Sequence, residues 1–310
     1  MEQSENNAQA EEKTQSLEWT AQLQEGGSLS YVDISDGSTG WTSIPGGFFT
    51  VRGPQYLADR VKIPGGECLL RPLALDWLKS SSRIDCVMQQ STNRVRLALD
   101  RAQKACAQKP FVWAFNLQIP SKEHYSVVSY FVTFNEFEEG SVWDRFLKGD
   151  DVFKNNRLKL IANISEGPWI VKTAVGEQAI CILGRSLTCR YLQGSNFIEV
   201  DVDIGSSIVA NAIVHLAIGY ITTLTVDLAF LLEGQMESEL PEQILGTIRL
   251  KKLDLAAAVS VELTPEGATP TITEGTSFQS RLWRSFGQGL STLMQPAGPA
   301  GQIKQDGEAK

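Results

Sequence analysis

The chain has 310 residues, 42% of them hydrophobic and 21% charged, and carries a net charge of −8. Between Trp41 and Glu262 there are 23 Lys+Arg against 24 Asp+Glu, so 5 and 12 of the chain's 28 and 36 fall outside that span. A near-neutral middle with acidic ends suits a globular core and excludes a nucleic-acid binder, which needs a dense basic stripe to displace counterions.

The opening "MEQSENNAQAEEKTQ" is polar and acidic, the reverse of a signal or transit peptide. Residues 1–40 read as a disordered acidic tail. The five cysteines are odd in number and scattered, with no Cys-x-x-Cys pair, so neither a disulfide framework nor a zinc site is expected. Asn163-Ile-Ser165 matches a glycosylation sequon, but without a secretory signal it reads as chance. The expected location is cytoplasmic, peripheral to a membrane at most, neither secreted nor transmembrane.

A single domain over 41–262 is expected. Its first stretch is rich in loops, punctuated by Pro45, Pro54 and Pro64. "CLLRPLALDWLK" predicts a strand with Leu73, Leu75 and Trp77 on one face and Pro72 at an edge or bulge. Residues 83–107 predict an amphipathic, moderately basic helix. "FVWAFNLQI" alternates Phe111, Trp113, Phe115, Leu117 and Ile119, and "HYSVVSYFVTF" follows it as the second arm of a hairpin. "SVWDRFLKGDD" predicts a short helix with Val142, Phe146 and Leu147 inward, stopped at Gly149. "RLKLIANI" and "WIVKTAVG" read as strands joined at Gly167-Pro168.

In "SLTCRYLQGSNFIEVDVDIG" the two apolar faces meet one core if Cys189 lies opposite Val200. That register leaves Gln193–Asn196 as a four-residue loop and places Arg190 opposite Glu199. Glu199, Asp201 and Asp203 then read as a solvated strand face. Residues two apart on a strand stand roughly 6.5–7 Å apart and do not converge on a cation.

The run "VDIGSSIVANAIVHLAIGYITTL", residues 202–224, holds no charge between Asp203 and Asp227 apart from any on His215. A membrane span needs roughly 20 mostly apolar residues. Asn211, His215 and three threonines, with no flanking Lys or Arg, speak against one. A split is expected instead: Ser206 or Ser207 caps a helix that ends at Gly219, and a strand resumes in "ITTLTVDLAFLL". Ser207, Asn211 and His215 form one polar stripe. The adopted reading is a central core helix over 206–218, and the stripe is the candidate lining of a lipid or ligand cavity. "LTVDLAFLLEG" and "ILGTIRLKKLDL" complete an α+β fold, a mainly antiparallel sheet of about eight strands around that helix.

Residues 263–310 form a flexible tail by composition. Within it, 277–294 is amphipathic: Phe278, Leu282, Phe286, Leu290 and Leu293 share a face, joined by Trp283. These six are the candidate membrane-contact residues, and the tail is also a candidate site for a protein partner. His124 and His215 are the only imidazoles and fit no catalytic or metal motif; no enzyme and no cofactor are expected.

Several stretches together resemble the C-terminal domain of the plant ENHANCED DISEASE RESISTANCE 2 family. They include "GFFTVRGPQYLADRVKIPGGE", "LALDWLKSSSRID", "FNLQIPSKEHYSVVSYFV", "FLKGDDVFKNNRLKLIANISEGPWIVKTAVG", "LGRSLTCRYLQGSNFIEVDVDIGSS" and "LAFLLEGQMESELPEQILGTIRL", in order over nearly all of 41–255. In that family, pleckstrin-homology and START lipid-transfer domains precede this one. The 40 residues ahead of Trp41 are too few for either, so a stand-alone form is expected. The resemblance implies a non-enzymatic regulatory module that associates with membrane lipids or phosphoinositides and acts in plant defence or cell-death signalling. A protein-interaction scaffold with a solid core is the alternative.

Overall fold

Period-two alternation of bulky residues produces the long strands of this chain. The computed structural model describes residues 19–105, 109–264 and 267–270. The strands are β1 (Gly40–Thr42), β2 (Thr50–Arg52), β3 (Lys62–Pro64), β4 (Arg71–Ser80), β5 (Phe111–Ile119), β6 (His124–Thr133) and β7 (Leu158–Glu166). They continue as β8 (Ala179–Ile182), β9 (Thr188–Gln193), β10 (Phe197–Asp203), β11 (Thr225–Leu232), β12 (Ile244–Lys251), β13 (Val259–Thr264) and β14 (Gly267–Pro270). The helices are α1 (Tyr56–Asp59), α2 (Arg94–Ala105), α3 (Val142–Lys148), α4 (Asp151–Asn155), α5 (Trp169–Val175), α6 (Leu183–Ser186) and α7 (Ile208–Ile218). Contacts divide the chain into Met1–Thr271 and Ile272–Lys310, and the second unit lies outside the described residues.

The class is α+β as expected, but the sheet is not one of about eight strands. A five-stranded sheet, ordered β1-β12-β11-β7-β8, is antiparallel throughout. A seven-stranded sheet, ordered β14-β13-β4-β6-β5-β10-β9, has parallel pairs at β13–β4 and β5–β10. A β2–β3 ribbon stands apart. The two large sheets share one interior. Trp77, Trp113, Phe115 and Phe131 from the seven-stranded sheet meet Leu228, Phe230, Ile248 and Leu250 from the five-stranded sheet. Outside it, α2 covers the far face of the seven-stranded sheet through Val95 and Leu99. Phe49 and Val51 cover the far face of the other sheet.

The central helix is overturned. It forms between the expected caps, for Ser207 Oγ accepts the Ala210 amide and Gly219 ends it. Yet no residue of α7 is buried, and Ile208 is 90% exposed. Aromatic rings already fill the space between the sheets, which leaves no volume for a helix there.

Other expectations change for local reasons. A bulge between Pro72 and Ala74 puts Leu73 in the outer cluster, away from Leu75 and Trp77. Helix α2 starts at Arg94 instead of near 83, because Cys86 takes a left-handed conformation (φ 54°) that no α-helix accommodates. "WIVKTAVG" is the helix α5, not a strand: Gly167 (φ 146°) and Pro168 break the extended chain, and Val171 and Val175 turn to one side. In the β9–β10 hairpin Cys189 faces Val202 and Arg190 faces Asp201, two residues off the expected register. The turn closes at Gly194, whose amide donates to the Phe197 carbonyl, and the Phe197 ring lies where any Cβ on Gly194 would sit. Glu199 and Asp201 are buried, so theirs is no solvated face.

Part of the segment expected to be a disordered tail is ordered, and residues 1–18 lie outside the described residues. Residues 19–25 are helical, and Leu23 and Leu29 are buried. Ser28 Oγ accepts the Trp77 amide, Arg94 donates to the Leu23 carbonyl, and Lys251 Nζ donates to the carbonyls of Asp33, Ile34 and Asp36. A few apolar anchors hold a polar segment whose average composition hides them.

Candidate interaction surface

Helices α5 and α7 pack together at the β7–β11 end of the five-stranded sheet. Their inner sides are ordinary core: Val171 and Leu224 are buried with Ile164, and Val175, Leu216 and Ala217 lean on them. Gly167 is required at this junction, since a Cβ there would meet Leu224 Cδ2 at 2.3 Å. Gly176 (φ 83°) stops α5, its amide donating to the Lys172 carbonyl.

The outer sides are unusual. Trp169 is 75% exposed, Ile208 90% and Val209 70%, and Ile170 and Tyr220 are also exposed. Soluble surfaces rarely expose such side chains in groups unless something covers them. Covering Ile208 and Val209 would gain about 1.5–3 kcal/mol each, a substantial binding contribution. Charge is nearly absent: α7 carries none beyond His215, and α5 only Lys172, whose Nζ donates to the Ser165 carbonyl.

The polar stripe is present on α7. Ser207 caps the helix, Asn211 is half-buried, and His215 is exposed. His215 Nδ1 lies 2.9 Å from the Asn211 carbonyl oxygen, so that nitrogen carries the proton. Asn211 Oδ1 is buried without a donor. The tail residues Phe278, Leu282, Trp283, Phe286, Leu290 and Leu293 lie outside the described residues. No helix among the described residues is long and apolar enough to cross a membrane.

Elsewhere, an open cleft of about 680 Å³ is lined by Thr50, Lys62, Glu177, Gln178 and Ile180. Its mixed lining brings no cluster of reactive groups together. Sequence reasoning missed α5 as part of the surface. The signal available was its bracket, Gly167-Pro168 before and Gly176 after, which fits a short helix better than a strand.

These features define a two-sheet α+β module with apolar side chains exposed on its helices α5 and α7. The profile of the family described as Protein ENHANCED DISEASE RESISTANCE 2, C-terminal, matches residues 41–254, and the chain belongs to that family. A relative from Arabidopsis thaliana, "Protein ENHANCED DISEASE RESISTANCE 2-like", is 39% identical over 233 residues, 75% of this chain. The match spans only 31% of that relative's length. No solved structure matches the chain.

Proposed function

We propose that this chain is a non-enzymatic regulatory module that associates with membrane surfaces, with a role in plant defence or cell-death control of the kind its family implies. The observation that carries the membrane reading is the outward face of α7, where Ile208 and Val209 project from a helix with no charged residue. Trp169, 75% exposed on α5, supports the reading, because indole rings favour the boundary between lipid headgroups and acyl chains. At 11 residues, α7 is too short to span a bilayer.

The test is flotation of the full chain with neutral and phosphoinositide-containing vesicles, beside an I208S/V209S variant and a chain ending at residue 265. Full-chain flotation that the double substitution reduces supports the reading. If the 265 truncation alone abolishes flotation, the tail is the anchor and α7 is not. If none of the three proteins floats on either vesicle, the membrane reading fails.

The second reading is a protein-interaction scaffold. It is favoured by the filled interior, where Phe115 of one sheet stacks on Phe230 of the other at 4.1 Å among buried aromatic and aliphatic side chains. Affinity capture with a defined partner that the I208S/V209S variant loses, without vesicle binding, would establish it.

A further inference from the structure

Glu199 and Asp201 stand two residues apart on one face of β10, 0% and 3% exposed, beneath the loop that joins β4 to α2. Three consecutive amides of that loop grip them. Cys86 donates to Asp201 Oδ2 at 3.0 Å, and Val87 and Met88 donate to the two Glu199 oxygens at 2.7 Å each. Asn116 Nδ2 bridges Asp201 Oδ1 and the Ile84 carbonyl. Gln118 Nε2 donates to the same carbonyl and to Asp85. The loop they hold includes Cys86 in its left-handed conformation, an unfavourable state for a residue with a side chain.

The charged groups around the pair are engaged elsewhere. Arg94 of α2 pairs with Asp76 of β4. Arg83 pairs with Asp85 and Asp203, and Arg190 of β9 lies 3.8 Å from Asp85. On β6, the Tyr130 hydroxyl accepts from Asn93. Among the described residues, no cation stands within salt-bridge distance of Glu199 or Asp201. Asn116 Oδ1, fully buried beside them, has no donor. Two buried carboxylates with no counter-cation cannot both be ionised cheaply.

We propose that Glu199, buried beside Asp201, holds a proton at neutral pH and acts as a proton-operated latch on loop 83–90. With the proton present, Glu199 carries no charge beside Asp201 and both keep their backbone amides. Loss of the proton places a second negative charge in the layer beneath α2 and loosens the loop. Burial first, then Asp201, pushes Glu199 well above the ordinary glutamate value of 4.5. The stabilisation is therefore complete below that ordinary value and is lost as pH rises through the raised one.

Amide resonances of Val87 and Met88 in the full chain, followed from mildly acidic to alkaline pH, test this. The expected result is one shared transition well above the ordinary carboxylate range, absent in E199Q. Should E199Q fail to fold, D201N is the second variant. Removal of the neighbouring charge there moves the transition down toward the ordinary range. A shared transition within the ordinary range, or none, overturns the latch. So does movement of these resonances by added calcium or potassium chloride at fixed pH, which would make the pair a cation site.

Discussion

Phe115 of the seven-stranded sheet lies face to face with Phe230 of the five-stranded sheet, their ring centroids 4.1 Å apart and their planes 9° from parallel. Both are fully buried, and Phe131 meets each ring edge-on. This contact is the centre of the interior that joins the two sheets. F230A should cost about 3–5 kcal/mol, and F230L clearly less, because leucine leaves a smaller void. Urea unfolding followed by circular dichroism checks both; equal effects would mean that the ring is not closely packed.

Gly246 on β12 faces the same group of rings. A Cβ there would meet two Phe131 ring carbons at 2.4 Å, in a fully buried site where that ring cannot swing away. G246A is expected to destabilise by about 1–3 kcal/mol through overpacking. G37A, at a glycine with nothing within 4 Å, should leave the unfolding midpoint unchanged.

Behind the interior, Lys159 and Glu242 form a buried ion pair, with Nζ 2.5 and 2.6 Å from the two carboxylate oxygens. Glu242 also accepts from the amides of Arg52 and Gly234. K159A leaves that carboxylate poorly compensated and should cost about 3–5 kcal/mol. Burial lowers the lysine's own pKa while Glu242 raises it, so the pair gives little net gain over an apolar one. Because E242L leaves the Arg52 and Gly234 amides without their acceptor, K159M/E242L should recover only part of the loss seen in K159A, read from denaturant midpoints.

Glu239 provides an acid-side test. Burial pushes its pKa up, but donation from Arg157, the Gln235 amide and Arg145 prevails and holds it below the ordinary 4.5. Its contribution is present above that value and is lost as pH falls through the depressed one. Stability measured across mildly acidic pH should fall in the wild-type chain and fall less steeply in E239Q. Parallel curves would remove Glu239 from the acid response.

The hairpin of β5 and β6 was fully legible, since Phe111, Trp113, Phe115, Leu117 and Ile119 sit on one face as the alternation requires. So were the stop of α3 at Gly149 and the cap of α7 at Ser207, because each acts on its own helix alone. The candidate surface was half legible: the apolar run was plain, its orientation was not. Glu199 and Asp201 read as solvated because alternating carboxylates ordinarily face water. The amides that bury them come from Cys86, Val87 and Met88, more than a hundred residues away in the chain.

By itself the sequence determined which segments are strands or helices wherever periodicity and capping act within a few residues. It also determined the family, through motifs spread along 41–254. Only the tertiary structure decided that α7 lies outside. A helix apolar on all sides but one narrow polar stripe has little preference for one inward face, and whether it is enclosed depends on what already fills the interior. Here Phe115, Phe131 and Phe230 fill it, and Ile208 and Val209 are left facing outward.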